Sequence, residues 1–245
     1  MAPLLELENV SASYGPVQAL HGVSLSVDEG EIAGLIGPNG AGKTTAFNVI
    51  TRLYTPNEGS VRFADRNLLS VGPHRIVGLG IARTFQNLEL CAHMSVLENV
   101  LVGAHSRIRL GGEREARANA RAVLDSLGLA RLAHGPAAGL PFGTLKRIEL
   151  ARALASRPKL LLLDEPAGGL NHEEVAELGE LIGRLRREHD LTILLVEHHM
   201  NLVMSVCERV TVLNFGTEIA EGSPQEVRSD PAVIEAYLGE PSAAA

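Results

Sequence analysis

The feature that most constrains the fold of this chain is the segment Gly37-Pro38-Asn39-Gly40-Ala41-Gly42-Lys43-Thr44-Thr45. It matches the template G-x-x-x-x-G-K-[ST] without a mismatch. The apolar run 31–36 before it predicts a buried strand, and residues 46–50 after it are apolar at helical spacing. Glycines let the backbone bend so that successive N–H groups point at an anion near the start of the helix. The sequence therefore predicts a phosphate-binding loop between a strand and a helix.

Two kinds of side chain complete the predicted chemistry. In this motif Lys43 reaches the β- and γ-phosphates, and the hydroxyl of Thr44 is placed to bind Mg²⁺. Asp164 and Glu165 follow the apolar run 160–163, which predicts a buried strand. Taken alone, two acids could simply end a strand and cap the next segment. Because ligands of parallel sheets bind outside the carboxyl ends of the strands, we expect Asp164 to hold Mg²⁺, directly or through water, and Glu165 to act as general base toward an attacking water.

Composition excludes several classes of function. The chain has 245 residues and a formal net charge of −7, which argues against nucleic acid as the main partner because phosphate backbones require a basic face. Cys91 and Cys207 give neither a disulfide framework nor a zinc-binding spacing. The N-terminus lacks the basic and apolar regions of a signal peptide, and the apolar runs 160–163 and 193–196 are far shorter than a membrane span. If this protein serves a membrane, we expect it to do so from outside the bilayer.

The order of apolar segments predicts an α/β fold. Apolar strands alternate with helices, which indicates a mostly parallel sheet covered on both faces. Further strand patterns occur at 4–14 and 19–27, before the phosphate-binding loop, and at 60–64, after it. Residues 88–139 lack strand alternation and carry helical periodicity at 95–102 and 113–127. We therefore predict a mainly helical subdomain in the middle of the chain.

The order and spacing of these motifs resemble the ATP-binding cassette (ABC) family over nearly the whole chain. The resemblance implies that Tyr14 stacks on adenine and that Gln86 contacts Mg²⁺ and the attacking water. It also implies that His198 hydrogen-bonds the γ-phosphate, and that the loop ending at Asn171, where many members carry Asp, communicates across a dimer. His199 stands where one group of the family, the branched-chain amino acid uptake ATPases, usually has Asp. Adjacent side chains at a strand end are expected to point apart, which argues against a metal bound by the histidine pair.

The signature element is where this chain departs from the family. Leu140-Pro141-Phe142-Gly143-Thr144 replaces the usual Leu-Ser-Gly-Gly-Gln, whereas residues 146–154 match well. In the family, this element binds the γ-phosphate held by the opposite subunit through its serine hydroxyl and glycine N–H groups. Pro141 offers neither a hydroxyl nor an N–H. Gly143 and the start of a helix expected near Thr144 remain as donors, so the resemblance implies a weakened half-site.

The resemblance also implies an architecture and partners. The expected fold is a single nucleotide-binding domain over residues 1–245, with a P-loop core and an N-terminal antiparallel β subdomain at about 1–87 and 157–245. A helical subdomain with the signature element is expected at about 88–156. ATP and Mg²⁺ are the implied cofactors. The implied partners are a second ABC ATPase subunit, two transmembrane permease subunits and, indirectly, a substrate-binding protein, with the chain peripheral to the cytoplasmic face of the membrane.

A finer resemblance points to ATPase subunits of bacterial branched-chain amino acid uptake systems. It rests on the segments 83–87, 94–100, 167–171 and 231–239, with the aromatic Phe142. Importers of urea or amides and the ATPase of lipopolysaccharide export share these features, although the long helical middle favours an importer. A soluble cassette of ribosomes or DNA repair and a regulatory cassette that does not hydrolyse ATP are further alternatives. The single cassette and acidic charge disfavour the former, and Glu165 argues against the latter.

Overall fold

The computed structural model describes residues 3–238, including their side chains except those of residues 106–111. The ends of the expected domain, 1–2 and 239–245, lie outside this description. The strands are β1 Leu5–Tyr14, β2 Val17–Val27, β3 Ile32–Ile36, β4 Glu58–Phe63, β5 Arg66–Asn67, β6 Ile81–Arg83, β7 Leu160–Asp164, β8 Thr192–Val196, β9 Arg209–Asn214 and β10 Thr217–Gly222. The α-helices are α1 Lys43–Ile50, α2 Ile76–Leu79, α3 Val96–Ser126, α4 Phe142–Leu154, α5 His172–Glu188, α6 Met200–Val206, α7 Pro224–Ser229 and α8 Pro231–Leu238.

The central sheet has six strands in the order β10-β9-β3-β8-β7-β6. All its neighbouring pairs are parallel except β9 and β10. Every residue of β3, β7 and β8 is buried, as expected for parallel strands covered on both faces. The predicted mostly parallel sheet is confirmed, and the phosphate-binding segment and Asp164 both lie at its carboxyl edge.

An antiparallel sheet of four strands, β2-β1-β4-β5, forms a second layer. The β1–β2 hairpin turns directly after Tyr14, with Gly15 at φ 58°. Leu5, Val10 and Phe63 from this sheet share one apolar core with Phe47 of α1. Helix α1, which follows the phosphate-binding loop, is therefore packed between the two sheets. The predicted N-terminal antiparallel β subdomain is present.

The middle of the chain is helical, as predicted, but its helices are longer. Helical structure runs through α3 and is interrupted only at Gly112 (φ 78°, ψ 168°), whereas the sequence periodicity predicts two helical stretches separated by the residues between 102 and 113. A capping box between Ser95 and Glu98 starts α3. Gly103 allows α4 to approach α3 closely, because a Cβ atom there would lie 1.8 Å from the carbonyl oxygen of Arg152.

Two helix boundaries differ from the sequence prediction. Helix α4 begins at Phe142, two residues before Thr144, because Pro141 adopts the extended N-cap conformation (φ −55°, ψ 149°), where no backbone N–H is needed. Helix α6 was not predicted, since its short apolar sequence follows directly on a buried strand and a turn. Among the described residues, no helix is both long and apolar enough to cross a membrane.

Candidate functional site

The phosphate-binding segment connects β3 to α1 through a backbone that only glycine can adopt at two points. Gly37 has φ 148°, and a Cβ atom there would lie 2.0 Å from the carbonyl oxygen of Leu213. Gly42 has φ 104° and caps α1, and its Cβ would lie 2.6 Å from the carbonyl oxygen of Ala19. Strands β2 and β9 therefore press the loop into its curve, and the first N–H groups of α1 open onto its concave side.

Lys43 is the buried centre of this loop. Its ammonium donates hydrogen bonds to the carbonyl oxygens of Gly37 (2.7 Å) and Pro38 (2.9 Å), and the residue is only 6% exposed. Burial lowers the pKa of Lys43, while the nearby carboxylates of Glu165 and Asp164 oppose that shift. The lysine is thus held between the loop and the predicted acids.

The other loop residues divide into support and exposed donors. Ala41 is buried, and its carbonyl accepts a hydrogen bond from Gly216, while Thr45 is buried in the first turn of α1. Asn39, Gly40 and Thr44 are exposed. The hydroxyl of Thr44 therefore stands at the open side of the loop, where a ligand could reach it.

Gln86, Glu165 and His198, predicted from three separate motifs, come together in the structure. The side-chain amide of Gln86 donates to Glu165 Oε2 at 2.8 Å, and His198 Nδ1 lies 3.8 Å from the same oxygen. Glu165 has a left-handed backbone (φ 47°), while its N–H extends the sheet by donating to the carbonyl of Val196. One carboxylate oxygen therefore accepts a hydrogen bond from the amide, and the imidazole lies near it but beyond hydrogen-bond distance.

Arg83 is a residue of the site that the sequence did not reveal. Its guanidinium donates to Asp164 Oδ2 at 2.6 Å and to Asn48 Oδ1 at 2.8 Å, and lies over the rings of Phe47 and Phe85. The side chains of Arg83 and Asp164 are 6% and 4% exposed. Arg83 Nε is buried without a hydrogen-bond partner. The only sequence signal was a charged residue at the end of a buried strand.

The histidine pair follows a buried glutamate. Glu197 is fully buried, and its carboxylate accepts hydrogen bonds from the backbone N–H groups of Ala167, His198 and His199. The rings of His198 and His199 lie 4.5 Å apart at an angle of 35°, so the expectation that they point apart is wrong. The strand ends at Val196, and strand alternation no longer applies to the turn that comes after it. The possible ligand atoms of residues 197–199 lie within 4.8 Å of one another.

Tyr14 lies at the end of β1 and is 43% exposed. Its ring packs against that of Tyr54 with centroids 4.4 Å apart, and the Tyr54 hydroxyl donates to the carbonyl of Ser13. Tyr54 follows α1, so the pair forms an aromatic surface beyond the P-loop helix. This placement is compatible with the predicted stacking role.

The signature element forms the N-terminus of α4. Pro141 is its N-cap, which leaves the N–H groups of the first turn, including Gly143 and Thr144, without intrahelical partners. A Cβ atom on Gly169 would lie 3.0 Å from the Phe142 ring, so the signature aromatic packs on the loop before α5. Asn171 caps α5 by accepting from two backbone N–H groups, a role that suits Asn and Asp equally.

The side chains present fit a magnesium–nucleotide complex. The curved loop and the start of α1 supply backbone donors for phosphate, and Lys43 supplies a positive charge. Thr44 and Asp164 offer the oxygen ligands that Mg²⁺ prefers. Oδ1 of Asp164 is the oxygen left for the ion, because Oδ2 accepts a hydrogen bond from Arg83.

Comparison with known proteins agrees with this arrangement. Residues 20–168 match a family model described as ABC transporter, and residues 218–243 match one described as branched-chain amino acid ATP-binding cassette transporter. The chain is 42% identical over 251 residues to the high-affinity branched-chain amino acid transport ATP-binding protein LivG of Salmonella typhimurium, which covers 97% of this chain and 98% of the relative.

Solved structures of ATP-binding cassettes share the fold. The ADP conformation of MJ1267, an ATP-binding cassette of an ABC transporter, superposes with a TM-score of 0.89 at 33% identity, over 98% of this chain and all of that one. MJ0796, a bacterial ABC transporter cassette solved as a dimer, gives 0.80 at 29% identity, over 90% of this chain and 98% of that one. The predicted resemblance is confirmed: the chain belongs to the ABC transporter family of ATPases.

Proposed function

We propose that this chain is the ATP-hydrolysing subunit of an importer for branched-chain amino acids. The observation that carries the hydrolytic part is that Gln86 (2.8 Å) and His198 (3.8 Å) both approach Oε2 of Glu165, beside the buried lysine of the phosphate-binding loop. The substrate rests on the full-length similarity to LivG and on the family model matched at residues 218–243. Import of urea or of an amide is the alternative that the substrate test below distinguishes.

The chain's own residues divide the work of phosphoryl transfer. Backbone N–H groups of the segment 37–45 and the ammonium of Lys43 bind the phosphates, and Tyr14 stacks on the base. The ligands of Mg²⁺ would be Thr44, Asp164 and Gln86, and the bound ion would neutralise charge that develops on the phosphate oxygens.

The remaining residues act on the reaction itself. Glu165 takes a proton from the attacking water as general base. His198 donates a hydrogen bond to the γ-phosphate, and Gly143 contributes an N–H to the site of a second chain.

A second cassette completes the site in this proposal. The N–H groups in the first turn of α4 form a helix N-terminus suited to the phosphate bound by a partner, and the ring of Phe142 in that turn packs on Gly169. Pro141 supplies no donor of its own. Loss of one charge-assisted hydrogen bond is worth about 1.5–3 kcal/mol, which would weaken this half-site without preventing closure. The dimer of MJ0796 supports this assembly.

The proposed permease contact lies where the core and the helical part meet. A cavity of about 530 Å³ there is lined by apolar and charged residues, among them Phe85, Val102 and Arg152. Phe85 and Val102 are 39% and 51% exposed. From the sequence, the apolar residues Leu88, Leu90, Val96 and Leu101 are candidates for this surface, although the core could equally claim them. Val96 is fully buried in the core, so the second alternative holds for Val96, while the other three are partly buried.

This surface suggests where the chain works. We propose that two transmembrane permease subunits dock at it and that the chain is peripheral to the cytoplasmic face of the membrane. A substrate-binding protein acts through the permeases. We further propose that residues 88–156 move as a helical subdomain relative to the core formed by about 1–87 and 157–245, since the irregular segment 84–95 leads from β6 of the core sheet into α3.

Two variants test the hydrolytic assignment. Glu165→Gln is expected to lower ATP turnover at least 100-fold while ATP binding persists, because the amide cannot take a proton. Lys43→Ala is expected to weaken Mg-ATP binding itself. Normal turnover by Glu165→Gln, or normal nucleotide affinity of Lys43→Ala, measured by calorimetry, contradicts the assignment.

The substrate is tested in vesicles that contain the chain with its permeases and binding protein. Leucine, isoleucine and valine are expected to raise ATP turnover and to accumulate inside. Stimulation by urea or a short amide, with no response to leucine, would replace the proposed substrate by that alternative.

A further inference from the structure

Gln86 reaches Glu165 from a segment that has no regular structure of its own. Residues 84–95 connect β6 to α3 without forming a strand or helix. Thr84 is still anchored to the central sheet, since its N–H donates to the carbonyl of Leu162 and its hydroxyl accepts from the N–H of Asp164. From Phe85 onward the sheet no longer holds the segment. Another element must therefore keep Gln86 within 2.8 Å of Glu165.

That element is α4, the helix that carries the signature turn. The N–H of Phe85 donates to Glu149 Oε1 at 3.0 Å. Lys146 Nζ donates to the carbonyl of Gln86 at 3.2 Å, and the guanidinium of Arg152 donates to the carbonyl of Glu89. Positions 146, 149 and 152 are spaced by three and lie on one face of the helix. The segment that carries Gln86 therefore rests along one side of α4.

Among these three contacts, that of Glu149 has a distinct environment. Glu149 is 2% exposed, and burial raises the pKa of its carboxyl group. Lys146 and Arg152 are less enclosed, and each has a long, flexible side chain. Glu149 holds Phe85, the residue between the sheet anchor at Thr84 and Gln86, so loss of its carboxylate frees the backbone directly before the glutamine.

We propose that Glu149 is a positioning residue that sets Gln86 against Glu165 and so ties the general base to the signature helix. The proposal rests on the function proposed above for Gln86 and Glu165. In the dimer, the first turn of α4 closes the nucleotide site on the second chain, while the side of the same helix holds Gln86 for the site on its own chain. Closure of the site on the second chain therefore acts through Glu149 on the position of the general base in the site of its own chain.

The experiment compares three variants. Glu149→Leu removes the acceptor but keeps the volume, and a cavity of about 220 Å³ beside Glu149 leaves room for the leucine. Glu149→Gln keeps a carbonyl oxygen for the Phe85 N–H. Glu177→Gln is the matched control, because it breaks an exposed ion pair of 2.9 Å between Glu177 of α5 and Arg147 of α4.

Amide hydrogen exchange of the nucleotide-free chain gives the first readout. In the wild type, the Phe85 amide is expected to be protected although it lies in an irregular segment. Glu149→Leu is expected to raise exchange over 85–90 at least tenfold and to leave the amides of α4 unchanged. Glu149→Gln and the control are expected to exchange as the wild type does.

Steady-state ATP hydrolysis gives the second readout. Glu149→Leu is expected to lower kcat about tenfold with KM within twofold, since the phosphate loop is untouched, and Glu149→Gln is expected to restore kcat. An unprotected Phe85 amide in the wild type overturns the proposal even if Glu149→Leu does not fold. Equal impairment by Glu149→Gln and Glu149→Leu also overturns it. If Glu165→Gln retains turnover, the proposed function fails separately, and the exchange result still decides the contact.

Discussion

Replacing Arg83 by methionine tests the buried contact between Arg83 and Asp164. Methionine keeps much of the length and apolar contact of Arg83 but removes the charge and the hydrogen bonds to Asp164 (2.6 Å) and Asn48 (2.8 Å). It leaves the carboxylate of Asp164, a residue 3% exposed, without its partner. Breaking a buried ion pair by removing one partner costs about 3–5 kcal/mol. A domain is stable by about 5–15 kcal/mol, so we expect a large loss.

Urea denaturation of the nucleotide-free chain, followed by circular dichroism, measures this loss as a lower midpoint at unchanged slope. Arg117→Met is the control, because the pair of Arg117 with Glu113 is exposed and worth about 0–1 kcal/mol. Adding Asp164→Asn to Arg83→Met removes the stranded charge and is expected to recover part of the stability. A cost for Arg83→Met no larger than that of the control refutes the reasoning. No recovery in the double variant refutes its electrostatic part.

Two further predictions concern packing and pH. Gly103→Ala is expected to lower the free energy of unfolding by at least about 1–3 kcal/mol, because its Cβ would meet the carbonyl of Arg152. Gly78→Ala is the control, because a Cβ there enters open space and should change the free energy of unfolding by less than about 1 kcal/mol. Equal urea denaturation midpoints for the two variants would contradict the close approach of α3 and α4. Burial alone would raise the pKa of Glu31, but hydrogen bonds, chiefly from Arg209, bring it below its usual 4.5. Its ionised form therefore stabilises the fold above that pH, and the contribution is lost as the pH falls through the lowered pKa. The stability difference between wild type and Glu31→Gln, measured by urea denaturation, should shrink from pH 7 to pH 3, and a constant difference would exclude this linkage.

Local patterns were enough to predict much of the fold and part of the site. The loop at 37–45 was predictable because its turn, its lysine and its flanking strand and helix are all encoded within a short segment. Asp164 and Glu165 were predictable because an apolar strand ends directly before them. The placement of Gln86 and His198 followed from the family resemblance, and the structure brings both to Glu165.

The features that the sequence did not reveal depend on contacts between distant segments. Nothing near Arg83 in the sequence shows that its partner is Asp164 on a neighbouring strand. The contact of Glu149 with Phe85 also joins residues far apart in the chain. His198 and His199 were predicted to diverge, because a rule for strands was applied beyond Val196, where the strand ends. The start of α4 was placed late because proline was considered for its missing donor rather than as an N-cap.

Glu165 has a left-handed backbone at φ 47°, although it is neither glycine nor asparagine. Such a conformation costs a residue with a side chain of this size about 1 kcal/mol or more. Replacement by glycine or asparagine would relieve that strain, so these variants should unfold at a higher urea concentration than the wild type while losing the general base. At this one position, selection for stability and selection for turnover therefore favour different amino acids.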